Sequence, residues 1–194
     1  MREKNAEPDA QRVAPFRRNL ALGRIAVIGC GGAGKTFLSN QLAELTNAPL
    51  THLDSIYYDS KWNPLPAQDF TDEQEKLLRT DRWIIEGNYA NTLPIRLARA
   101  DTVIFLDIHP LVCLAGIIQR RLRYRGVQHE RDGVYDHITP QFVRYVIGYR
   151  KFMRPRIQNL VHDHGTNAQL VTLTSRRAAS RFLRNVRSMP DLGE

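Results

Sequence analysis

Eight consecutive residues carry the densest chemistry in the sequence: Gly29, Cys30, Gly31, Gly32, Ala33, Gly34, Lys35 and Thr36, a complete G-x-x-x-x-G-K-T. Glycines at this spacing let a backbone wrap closely enough for successive N–H groups to face the oxygens of a phosphate. A helix starting at the last glycine adds the positive end of its dipole. A lysine there reaches β- and γ-phosphate oxygens, and the threonine hydroxyl is a hard ligand for Mg²⁺. The pattern predicts a nucleoside triphosphate site, with all eight residues at the nucleotide and Thr36 at the metal.

Such a site also needs acids. Asp107 closes the apolar run 103–106, Asp54 closes 50–53 and Glu86 closes 83–85. If each run is a strand, the three carboxylates arrive at one edge of a sheet, beside the loop. Asp107 is then placed to hold Mg²⁺ with Thr36, and Asp54 and Glu86 complete a ring of acids around the metal and an acceptor. The competing explanation is turn chemistry, because strand ends favour aspartate in any case.

The elements that would deliver these residues follow from the pattern. Short apolar runs at 24–29, 49–54, 82–87, 102–107 and 169–174 read as strands, and 35–46, 70–79, 110–125, 139–162 and 176–186 as helices. Ser175 is suited to N-cap the last helix. Strands alternating with helices predict an α/β fold: a parallel sheet with helices on both faces. Residues 1–20 read as a flexible leader and 21–194 as one domain. With 194 residues, 42% hydrophobic and 25% charged, the chain is long enough for a sizeable core, and global disorder is excluded. No apolar run approaches a membrane span, the N-terminus lacks an apolar signal segment, and two cysteines cannot make a disulfide scaffold. A cytoplasmic location is the expectation.

The motifs resemble those of the bacterial DNA topology modulation protein family, a branch of the adenylate-kinase-like P-loop kinases. The resemblance rests on the phosphate loop, His52-Leu53-Asp54, Trp62, WIIEGNY at 83–89, LARADTVIFLD at 97–107 and the pair Arg120–Arg121, and spans residues 24–187. It implies a P-loop NTPase fold with a five-stranded parallel sheet in the order 2-3-1-4-5 and a small helical lid at about 120–140. It also implies ATP and Mg²⁺ as cofactors and phosphoryl transfer to a small-molecule acceptor. Asp54 matches the aspartate that holds the acceptor hydroxyl in related small-molecule kinases. Arg120, Arg121 and Arg125 match lid-base arginines that neutralise the transferring phosphoryl group. Arg176 and Arg177 fall where related kinases line the adenine. Gly87-Asn88-Tyr89-Ala90 stands where nucleoside monophosphate kinases carry Gly-[FY]-Pro-Arg; Asn88 thus faces the acceptor, and a monophosphate-gripping arginine is missing. Where shikimate-type kinases have an aspartate two residues before the acceptor aspartate, this chain has His52.

Charge divides the chain. Residues 1–110 carry 13 basic and 14 acidic side chains, and residues 111–194 carry 15 and 6, so the net +8 lies entirely in the second half. This points to an anionic partner, either a phosphorylated small molecule or DNA. Arg144, Arg150, Lys151, Arg154 and Arg156 alternate with Phe142, Tyr145, Tyr149 and Phe152. Basic residues among aromatics suit nucleic acid, yet the aromatic spacing also makes one helical face, which suits core packing. A nucleotide-gated regulator that binds DNA or a protein through this half is the alternative to a kinase. His162-Asp163-His164 reads as a surface turn before the last strand rather than as a chelating pair, and no zinc is expected. Oligomeric state is not legible.

Overall fold

A computed structural model describes residues 20–59, 63–124 and 139–189. All but the last residue of the expected leader, Trp62, Arg125 and most of the 120–140 segment lie outside these residues.

The elements run β1 (Arg24–Gly29), α1 (Lys35–Thr46), β2 (Leu50–His52), α2 (Leu53–Tyr57), α3 (Ala67–Leu78), β3 (Trp83–Glu86), α4 (Leu93–Leu97), β4 (Thr102–Leu106), α5 (Pro110–Tyr124), α6 (Pro140–His164), β5 (Gln169–Leu173) and α7 (Arg176–Arg187). All five strands are parallel and ordered β2-β3-β1-β4-β5. Consecutive residues of β1, β3 and β4 are buried, so both faces of the central sheet are covered. Helix α1 packs on β1–β3 and against α7, whereas α6 packs against both α4 and α5.

The parallel order sends every strand's carboxyl end to one edge, and β1 at the centre delivers the phosphate loop there. The strands stay in register through partners such as Val27 beside Ile104 and Glu86, and His52 beside Glu86. At the opposite edge Asp101 accepts the Arg24 N–H at 2.9 Å and its guanidinium at 2.6 Å, which pins the starts of β1 and β4 together.

Local chemistry sets the helix ends. The Ser175 and Thr139 hydroxyls accept the N–H groups of Ala178 and Phe142, capping α7 and α6. Asn47, in the left-handed region at φ 57°, ends α1 by returning its N–H to Ala43.

Three sequence expectations change. β2 stops at His52, so Asp54 sits in the first turn of α2 rather than at a strand end. Helix α6 continues to His164, so His162, Asp163 and His164 are its exposed last turn. Of the four aromatics on α6, Phe142, Tyr145 and Tyr149 pack inward, while Phe152 is 70% exposed beneath Lys151. Among the described residues, no helix is long and apolar enough to cross a membrane.

Candidate active site

The phosphate loop is built on two left-handed positions, Gly32 at φ 77° and Gly34 at φ 94°. Side chains there would strain the backbone. A Cβ on Gly32 would also run into the carbonyl of Cys113, and one on Gly31 into the Phe142 ring. The loop is therefore gripped between the start of α5 and the start of α6. Within it the Ala33 N–H turns back to the Cys30 carbonyl at 3.2 Å, and α1 opens at Lys35. First-turn N–H groups have no carbonyl behind them, which makes this a receptor for oxyanions. The neighbouring Cys113 thiol and burial push the Cys30 thiol up, so Cys30 contributes backbone rather than a reactive sulfur.

Three parts of the chain meet at Glu86. Its Oε1 faces Lys35 Nζ at 3.4 Å, and its Oε2 accepts from the Thr36 hydroxyl at 3.3 Å and from His52 Nδ1 at 2.9 Å. Burial opposes the Glu86 charge, but Lys35 and His52 outweigh it and hold the carboxyl below its ordinary range. Burial likewise opposes the charge on Lys35, and Glu86 with Asp54 outweighs it, so the ammonium is retained. Glu86, expected beside an acceptor, is thus in contact with both reactive side chains of the phosphate loop. Thr36 and Glu86 together offer hard oxygens side by side, a donor set that fits Mg²⁺.

Asn88 is also drawn to the loop. Its Oδ1 accepts the Gly29 N–H at 2.8 Å and its Nδ2 donates to the Tyr145 hydroxyl at 3.0 Å. Asp54 stands exposed beside this group and accepts the Tyr89 hydroxyl at 2.6 Å. Burial and then the Asp54 charge push the Tyr89 phenol up, so it stays protonated and donates. The rings of Tyr57, Phe70 and Tyr89 lie 4.8–4.9 Å apart and wall one side of this carboxylate.

Arg96 was not singled out by sequence. It is fully buried in α4 and donates to the Gly87 carbonyl at 2.7 Å and the Asn88 carbonyl at 2.6 Å. It therefore fixes the segment that follows Glu86. Nothing local in LPIRL distinguishes this arginine; only the packing of α4 under the loop does.

Asp107 directly follows β4, but Arg154 from α6 donates to its Oδ2 at 2.8 Å, and its buried Oδ1 has no hydrogen-bond partner. One basic residue of the α6 cluster thus reaches the sheet edge, and Arg156 reaches the Asn91 side chain at 2.8 Å. Arg120 is half-buried and Arg121 exposed on α5. Arg176 is exposed at the start of α7, directed at the Val112 carbonyl at 3.5 Å. Arg176, Arg177, Ser180, Arg181 and Arg184 line an open cleft of about 460 Å³.

No family model and no curated protein matches the chain. Its backbone is similar to that of a shikimate kinase from Acinetobacter baumannii in complex with shikimate, at a TM-score of 0.52 and 17% identity over 86% of this chain and 92% of that one. A shikimate kinase from Bacteroides thetaiotaomicron matches at 0.51 and 19% identity, over 86% and 97%. The strand order, the loop after β1 and this likeness agree on one architecture: the chain has the fold of the P-loop kinases.

Proposed function

We propose that the protein transfers the γ-phosphoryl group of ATP, held with Mg²⁺, to a hydroxyl- or phosphate-bearing small molecule. The observation that carries this reading is the convergence of Lys35, Thr36 and Glu86 at the mouth of a glycine-built phosphate loop. The kinase fold and the sequence resemblance to DNA topology modulation proteins support it.

In this reading the backbone of residues 29–36 receives the β- and γ-phosphates, and Lys35 leaves Glu86 to meet them. Thr36 and Glu86 hold Mg²⁺, directly or through its water. An ion held there by Thr36 and Glu86 would supply positive charge to offset that of the transferring phosphoryl group. Asp107, engaged by Arg154, lends charge at the same edge. Asp54 takes or orients the acceptor hydroxyl proton once that hydroxyl displaces Tyr89. Asn88 keeps the start of the loop in place while bordering the acceptor. Arg120, Arg121 and Arg125 supply positive charge to the transferring group, and Arg176 borders the base of ATP.

The test is ADP release from Mg·ATP with water alone, then with nucleosides, nucleotides, sugars, polyols and duplex DNA. Many-fold stimulation by one small acceptor, abolished in Lys35→Ala, is the expected result. Retention of most activity in Lys35→Ala would overturn the assignment of this loop. ATP bound without stimulation by any small molecule would replace the kinase reading with a DNA-binding regulator.

A further inference from the structure

Glu86 has three described side-chain partners, and two of them belong to the nucleotide. Lys35 and Thr36 are the groups that a phosphate and its metal would engage, so both contacts with Glu86 loosen or rearrange when the site fills. His52 is different. It stands on β2 directly beside Glu86 in the parallel register, and its ring, 13% exposed, makes the shortest of the three contacts. Its backbone carbonyl is tied down too, accepting the Ser55 hydroxyl at 2.7 Å. An ionised carboxylate only accepts, so Nδ1 carries the proton in this bond.

We infer that His52 is a positioning residue: its Nδ1–H keeps Glu86 oriented toward the metal after Lys35 and Thr36 have turned to the nucleotide. The bond to Oε2 leaves Oε1 as the oxygen that Lys35 vacates. Without it, a buried carboxylate on a short side chain would have to be reoriented as the metal arrives. This inference rests on the phosphoryl-transfer reading, and it concerns nucleotide and metal binding rather than the acceptor.

Geometry makes the test selective. An asparagine amide nitrogen sits at the same reach from the backbone as Nδ1, whereas a glutamine nitrogen reaches toward the position of Nε2. Calorimetry should measure ADP affinity with Mg²⁺ and with EDTA for wild type, His52→Ala, His52→Asn and His52→Gln, alongside thermal melting of each free protein. The expected result for His52→Ala is a roughly tenfold loss of the Mg²⁺-dependent gain in affinity, with metal-free ADP affinity unchanged. His52→Asn should restore the gain and His52→Gln should not. A fold-wide defect would instead weaken metal-free ADP equally. Should the alanine variant fail to fold, the comparison of asparagine with glutamine decides: equal behaviour overturns the inference. A full Mg²⁺ gain in His52→Ala would also overturn it while leaving the kinase reading intact. No ADP binding by the wild type would overturn both.

Discussion

Tyr89 is held at φ 35°, a left-handed conformation that a bulky side chain rarely adopts. The group that holds it is Arg96, whose buried guanidinium accounts for the carbonyls of the two preceding residues. Arg96→Met would leave those carbonyls without donors, at a cost of about 2–3 kcal/mol. For a chain of this size that is a fall in melting temperature of about 5–10 °C, read by calorimetry. Arg96→Lys should recover only part of it, since an ammonium cannot span two carbonyls as a planar fork does. On the other side of Tyr89, Asp54→Asn keeps the shape of the site but removes the proton acceptor. Acceptor-stimulated ADP release should fall about 10²–10⁴-fold, with ADP affinity within a few-fold of wild type; a large loss of ADP affinity would reassign Asp54 to the nucleotide. The residues of the phosphate loop were legible because their conformation is written locally, in glycines and a lysine. The partners of Glu86 were not, because contacts across 34 and 50 residues depend on strand register and on how α1 leaves the loop.

At the scale of elements, the five strands, α1 and the N-cap of α7 could be read from apolar runs and Ser175, since these signals are short-range. The end of β2 was misplaced by two residues: Leu53 and Asp54 continue an apolar and turn-like pattern, yet they enter α2. Phe152 broke the aromatic face of α6 because a spacing of ten residues drifts off the stripe that contacts the core. Helix α6 matters to the site through Arg154 and Tyr145, whose reach could not be inferred from its charge alone. The phosphate loop is equally dependent on its neighbours. Gly32→Ala should abolish ADP binding, both by forcing φ 77° on a residue with a Cβ and by pushing α5 away at Cys113. Circular dichroism of the variant should remain α/β, since the core strands are untouched. Wild-type ADP affinity in Gly32→Ala would mean that the loop adjusts without α5.

For the whole molecule, site and stability are linked because the loop joins β1, α1, α5 and α6 in one place. A ligand that binds only the folded chain stabilises it by about 2.7 kcal/mol at a hundred times its dissociation constant. Mg·ADP at that level should raise the melting temperature by about 5–10 °C, and Lys35→Ala should lose most of the rise. An equal rise in the variant would place the nucleotide elsewhere. The excess positive charge of the second half, plain in the sequence, has several destinations among the described residues: Arg154 reaches Asp107 at the sheet edge, Arg156 reaches Asn91, and the arginines of α7 include Arg176, Arg177, Arg181, Arg184 and Arg187, all exposed. Composition alone could not separate those destinations.

The contact between Gly32 and Cys113 has a mechanical consequence. Helix α5 is a stiff rod seated on the loop near one end, and Arg121 lies about 12 Å further along it. The seat is a fulcrum: a tilt of about 10° there carries Arg121 through about 2 Å. A nucleotide that reshaped the loop would tilt the rod from this seat, and the cations at its far end would move furthest.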